Sequence, residues 1–288
     1  MARTGLSLAQ KFLLEYYRAS INLAHAVSPK LGVRMAVNLF QRPYPRKRFE
    51  PLVFKQAEKF YFKSAGTRIA GYKWQPKRPV GKKFLILHGF AGSSKSFDHY
   101  IKPAMAKGYE VYTIDAPGHG NSEGKRLNVL MYSWVIEDVI RMKGPFDAIL
   151  AHSLSGMSLM LALEKAANHR QPRVMLVAPL VKVSTAVTSF QDFLRMRSTL
   201  RRDFEKDLET WAGRPMSYFS LPDLVRHHRV PIYWFHDRMD DTTPFADLAG
   251  LEENPPDNLE LIITEGLGHS GIYRDNKVKK KVIQLLGN

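Results

Sequence analysis

At 288 residues the chain is long enough for one large α/β domain, or for such a domain carrying an inserted subdomain. Its 44% hydrophobic and 24% charged residues are those of an ordinary globular protein, and with no cysteine it can build neither a disulfide nor a thiolate metal site, which fits a cytoplasmic setting. Lys and Arg number 43 against 27 Asp and Glu, but the resulting +16 is scattered: the densest clusters, Arg46-Lys47-Arg48 and Lys279-Lys280-Lys281, lie far apart without stacking aromatics, so no specific nucleic-acid partner is expected.

In chain order, Lys11, Glu15 and Arg18 interrupt every apolar run of the opening residues, so neither a signal peptide nor a spanning helix is expected. Leu8, Phe12, Leu13, Tyr16, Tyr17 and Ile21 recur at helical spacing over 7–26, and a second helix fits Val33 to Phe40. Residues 1–50 thus read as a helical lead-in, packed on the main domain or, through a basic face, lying on a membrane surface as a peripheral contact. Pro43 and Pro45 end it.

From Glu58 the signal turns to strands. KFYF and TRIAGYKW, separated by Ser64-Ala65-Gly66, predict an antiparallel hairpin. Then follow a strand at 83–88, a helix near 95–107, a strand at 109–114, a helix near 127–142, an apolar strand running into AHSLSG, a buried helix after it, and a strand at 173–179. Short apolar strands alternating with helices predict a mostly parallel sheet covered on both faces. Some fifty residues without a strand follow, read as a helical cap insertion at 180–229. The alternation resumes with VPIYWFHD, a helix opening at Pro244, a strand LELIITE and a final helix to Leu286, so 51–179 and 230–288 form the core.

In a parallel sheet the working residues sit at the carboxyl ends of strands, where the loops converge. Four such loops end in chemistry-bearing residues: His88 to Ser94, Ser153 in AHSLSG, Arg238 to Pro244, and Gly266 to His269. Ser153 stands at the apex of a strand, turn and helix, flanked by Ala151 and Ser155 where the usual pattern has glycine. Placing Ser155 at the apex instead would put Met157 where a small side chain is required. A serine needs an imidazole to take its proton, and the imidazole needs a carboxylate to fix its tautomer. The loop Gly118 to Gly124 misses the dinucleotide pattern, no metal-ligand spacing occurs, and neither cofactor nor metal is expected.

From the Pro43 region to the C-terminus, LILHGFAGSS, DAPGHGNS, AHSLSG, HDRMDDTTPF and GLGHS follow one another in the order found in α/β-hydrolases, and the chain resembles that family. GPFDAI-AHS and GLGH-x-x-I-x-RD make it most similar to bacterial members of unassigned substrate. The resemblance implies Ser153 as nucleophile, His269 as general base and acid, and Asp240, four residues before Pro244, as the orienting carboxylate, with Asp241 the runner-up. It implies oxyanion donors in the backbone N–H groups of Phe90 and Leu154, and structural roles for His88, His119 and His152.

The expected function is that of a serine hydrolase cleaving carboxylic esters of short to medium acyl chain through an acyl-enzyme, with a small-molecule ester as partner. A thioesterase or acyltransferase on the same triad, or a non-catalytic binding protein of this fold, is the alternative. The insertion is expected to roof the crevice and to line an acyl pocket with Phe190, Phe193 and Leu194, together with Phe204 and Leu208, while Arg197, Arg201, Arg202 and Lys206 face outward.

Overall fold

A computed structural model describes residues 7–43, 50–165 and 171–287, so the basic cluster at Arg46 to Arg48 lies outside the described residues. Among these the chain runs α1 (Leu8–Val27), α2 (Pro29–Phe40), β1 (Glu58–Ser64), β2 (Thr67–Trp74), β3 (Lys83–Leu87), α3 (Asp98–Ala106), β4 (Glu110–Ile114), α4 (Val129–Lys143), β5 (Ala148–His152) and α5 (Leu154–Lys165). It continues with β6 (Arg173–Val177), α6 (Val183–Phe193), α7 (Ser198–Ala212), α8 (Leu221–His227), β7 (Ile232–Asp237), β8 (Leu259–Thr264), α9 (Gly268–Gly271) and α10 (Asn276–Leu285). Its contacts divide into two units, one of Met1–Arg42 with Lys182–Ser220, the other of Pro43–Val181 with Leu221–Asn288.

The larger unit is the expected α/β layer. Its eight strands lie in the order β1-β2-β4-β3-β5-β6-β7-β8, antiparallel at β1–β2 and β2–β4 and parallel from β4 to β8. Phe84 to Leu87, Val111 to Ile114, Ala148 to His152 and Val174 to Val177 are buried on both pleat faces, which is why these strands read as unbroken apolar runs. Trp74, Phe54, Tyr72, Phe97 and Tyr100 fill the core beside them, and the Trp74 Nε1–H donates to the Val53 carbonyl. The carboxyl ends of β3, β5, β7 and β8 carry the four loops singled out in the sequence.

Two expected elements change. The helix at Pro244 is a single 3-10 turn, Phe245–Leu248: the backbone turns extended at Ala249 (ψ 136°), and Gly250 at φ +79° follows. The insertion ends earlier than residue 229: α8 belongs to the larger unit, and the chain leaves and re-enters it at one place, where Leu221 N–H donates to the Val181 carbonyl.

The helical unit joins the lead-in and the insertion, which were expected to be separate. Its core is Ile21, Val33 and Ala36 from α1 and α2 with Val187, Leu194, Met196, Leu200 and Phe204 from the insertion. Pro29 in the first turn lets α2 begin four residues before Val33. At Gly32 a Cβ would stand 2.4 Å from that of His25, so glycine is what allows α1 and α2 this approach. His25 Nε2 lies 2.8 Å from an Asp203 carboxylate oxygen on α7, an additional link between the two segments.

Candidate active site

β5 ends at His152 and α5 begins at Leu154, leaving Ser153 alone to turn the chain, at φ +59°. A side chain in this left-handed region is strained, and it persists because the turn is tied on several sides. Ser153 N–H donates to Val177, and its carbonyl accepts from Gly156 and Leu180. The departures from glycine at the flanks have physical reasons. Ser155 is buried, its hydroxyl accepting from His152 N–H at 2.9 Å and lying 3.0 Å from the Leu87 carbonyl it can donate to, so the hydroxyl bonds the elbow to the end of β3. The close approach that demands glycine falls one residue later, where a Cβ on Gly156 would stand 2.6 Å from that of Pro179.

The structure brings Ser153, His269 and Asp240 together. Ser153 Oγ donates to His269 Nε2 at 3.0 Å, and His269 Nδ1–H donates to Asp240 Oδ2 at 2.9 Å. Asp240 is buried, and its other oxygen accepts the N–H groups of Thr242 and Thr243, while the Thr243 hydroxyl donates to Oδ2. Burial works to raise the Asp240 carboxyl, but the hydrogen bond and charge of His269, with the two backbone N–H groups, outweigh it and hold the pKa at about 2. The carboxylate is therefore ionised at neutral pH. Asp241 is exposed and accepts from the Thr242 hydroxyl.

Two further residues position this relay. Asp237, at the end of β7 and fully buried, accepts from Met239 N–H, Gly268 N–H, Leu267 N–H and the Thr264 hydroxyl. One carboxylate thus ties the loop bearing Asp240 to the loop bearing His269. Burial opposes its charge, but these four donors win, and its pKa lies below the usual carboxylate value. His236 accepts from Trp234 Nε1–H and donates from Nε2 to the Thr243 carbonyl, holding the residue that in turn holds Asp240. Position at a strand end was the available signal for Asp237, but three aspartates within five residues look alike in sequence.

The loop after β3 lies against Ser153. A Cβ on Gly89 would stand 2.6 Å from that of Ser153, so only glycine lets this backbone pass so close. His88 and His119 hold the loop: His88 donates from Nδ1 to the Gly89 carbonyl and accepts Ala116 N–H at Nε2, and His119 accepts Ala91 N–H. Phe90 follows Gly89 in that loop, and Leu154 opens α5, where a helix leaves its first N–H groups without intrahelical acceptors. Gly89→Ala is expected to lower turnover at least ~100-fold, as the added methyl displaces either Ser153 or the loop. Steady-state kinetics with a melting curve check this; near-wild-type turnover would contradict the close approach.

His152 backs His269, its Nε2 donating to the His269 carbonyl at 3.2 Å and its ring 4.6 Å from that of Tyr273. Burial, then the charge of His269, push its pKa down to about 3, and burial likewise lowers His236 and His228. Below pH 6.5 the unfolded chain protonates these histidines before the folded one does, so stability present above pH 6.5 is lost as pH falls toward the folded pKa values. The slope of unfolding free energy against pH near pH 5 should drop by about 1.4 kcal/mol per pH unit in His152→Phe. Urea unfolding across pH 4 to 7 measures it, and an unchanged slope would contradict a neutral buried His152.

The residues expected to line an acyl pocket have other partners. Leu194, 1% exposed, is sealed in the core of the helical unit and has no surface to offer a substrate. This corrects its assignment: the apolar face of the insertion is taken up by α1 and α2. Phe190 packs against Phe40 and Phe204 at 4.9 and 5.7 Å, and Phe193, 48% exposed, lies under the Arg18 guanidinium. Among the described residues no three His, Asp or Glu stand close enough to hold a metal ion, and no helix is long and apolar enough to cross a membrane.

Comparison with known proteins adds a relationship. The family described as serine aminopeptidase, S33, matches residues 78–239, a span that contains Ser153 and stops one residue before Asp240. The chain is 29% identical over 99 residues to the monoacylglycerol lipase of Mycolicibacterium smegmatis, covering 32% of this chain and 35% of the lipase. It is 23% identical over 224 residues to the pimeloyl-(acyl-carrier protein) methyl ester esterase of Aeromonas hydrophila, covering 64% and 87%. Over three of its curated relatives the chain spans only 35 to 52% of their length. Among solved structures, the Pyrococcus furiosus esterase Pf2001 superposes with a TM-score of 0.60 at 14% identity, covering 85% of this chain and 97% of the other.

Proposed function

Since the chain belongs to the serine aminopeptidase S33 family of α/β hydrolases, we propose that it is a serine hydrolase that cleaves carboxylic esters through an acyl-enzyme on Ser153. The observation that carries this reading is the unbroken relay from Ser153 Oγ through His269 to the buried Asp240, with spacings of 3.0 and 2.9 Å. His269 Nε2 takes the hydroxyl proton as Oγ attacks the ester carbonyl, and Asp240 stabilises the imidazolium so formed. The N–H groups of Phe90 and Leu154 receive the tetrahedral oxyanion, an interaction commonly worth about 3 kcal/mol per donor. His269 then gives the proton to the departing alcohol, and water repeats the sequence in reverse to release the acid.

The relatives favour an ester over an amide, being named as a lipase and a methyl ester esterase. Short to medium acyl chains are part of the proposal. The test is a panel of p-nitrophenyl esters of increasing acyl length, an acyl thioester and an aminoacyl anilide. Ester hydrolysis should exceed anilide hydrolysis at least ~100-fold in kcat/KM and be highest on the shorter chains. Preference for the anilide would overturn the ester assignment, and preference for long chains the length assignment.

A further inference from the structure

Helix α1 packs through Leu14, Tyr17, Ile21 and His25, all on one side. Its opposite side is also apolar. Leu8, Phe12, Leu13, Tyr16, Leu23 and Val27 are 53 to 78% exposed, and at 3.6 residues per turn they fall within an arc of about 140°. Between them on that arc lie only Ala9, Ala19, Ser20 and Ala26, so the stripe contains no charge along the whole helix. A Ser7 and Gln10 capping box closes its N-terminus. An exposed apolar face of this size on a folded element marks something that covers it.

Its rim indicates what that is. Along one edge runs Lys11, and then the turn between α6 and α7, which α1 holds directly: Arg18 donates to the Phe193 carbonyl, and the Asn22 amide oxygen accepts Arg197 N–H while its Nδ2 donates to the Arg195 carbonyl. Lys11, Arg195 and Arg197 are exposed there, beside the half-exposed ring of Phe193, while the exposed Glu15 on the same edge is paired with Arg18. The sequence of this unit has 13 Lys and Arg against 6 Asp and Glu. A second copy of the chain would set this basic rim against another like it. An apolar stripe edged by cations suits instead a surface that is apolar inside and anionic at its boundary.

We propose that α1 seats the protein on anionic lipid bilayers, lying in the interface plane with Phe12, Tyr16 and Leu23 in the acyl boundary and Lys11, Arg195 and Arg197 at the headgroups. The attachment is independent of the hydrolytic chemistry and is read without it.

The full chain is sedimented with vesicles of phosphatidylcholine containing phosphatidylglycerol, and with vesicles of phosphatidylcholine alone. Binding is expected to the anionic vesicles, at least ~10-fold weaker to the neutral ones, and weakened by salt. Phe12→Glu with Leu23→Glu should reduce partitioning by a further ~10-fold or more without changing the melting curve, since neither side chain is packed. Lys11→Glu with Arg197→Glu keeps the stripe and should reduce binding to anionic vesicles by about tenfold. Absence of binding to anionic vesicles, or binding that both double variants retain, would overturn the proposal. So would a stripe-dependent dimer in lipid-free solution, which would make a second copy the occupant.

Discussion

Ser153→Ala is expected to lower ester kcat/KM by about 10⁴- to 10⁶-fold while leaving the melting curve in place. The hydroxyl removed is the atom that would form the acyl bond, and in the folded protein it bonds His269. The backbone turn does not depend on it, because Val177, Gly156 and Leu180 hold Ser153 through main-chain hydrogen bonds. The residual rate should reflect the oxyanion donors and substrate binding alone. Retention of more than a few per cent of activity in homogenous variant protein would remove Ser153 from the nucleophile's role.

Asp240→Asn should lower kcat by about 10³- to 10⁴-fold. An amide presented to His269 Nδ1 donates instead of accepting, which moves the imidazole proton to Nε2 and leaves no base for the serine. The two N–H groups of Thr242 and Thr243 can still meet the amide oxygen, so the loop should keep its shape. Asp241→Asn serves as the neighbouring control: that carboxylate is exposed and meets the Thr242 hydroxyl, and its loss should change kcat by roughly twofold or less. Kinetics of both variants at one pH decide the matter, and the opposite ranking would assign the orienting role to Asp241.

Much of this site is legible in the sequence because each loop that meets there follows a strand whose apolar run is unmistakable. FLIL leads to His88, AILAH to Ser153, IYWFHD to Asp240 and LELIIT to His269, so the four loops could be placed at one sheet edge before any coordinate was known. What sequence conceals is pairing between distant segments. The periodic faces of α1 and α6 are each visible, but nothing in either says that Ile21 and Leu194 share one core, so from sequence the insertion's apolar face reads as a pocket lining. Asp237 is concealed for another reason. Its importance lies in four donors drawn from the end of β8 and from two loops, an arrangement that a lone acidic residue beside two others does not announce. The shortened helix at Pro244 shows local geometry prevailing over a start signal, since the chain turns extended at Ala249, just before Gly250.

The central claim is that Ser153 is a covalent nucleophile, and reaction with a fluorophosphonate probe followed by peptide mass mapping tests it most directly. The adduct is expected on Ser153 alone, at close to one per chain, and is expected to vanish in Ser153→Ala and to form far more slowly in Asp240→Asn. Ser155, two residues on, should stay unmodified, because its hydroxyl is buried between His152 N–H and the Leu87 carbonyl. Labelling of Ser155, or of neither serine in a protein that hydrolyses esters, would contradict the account.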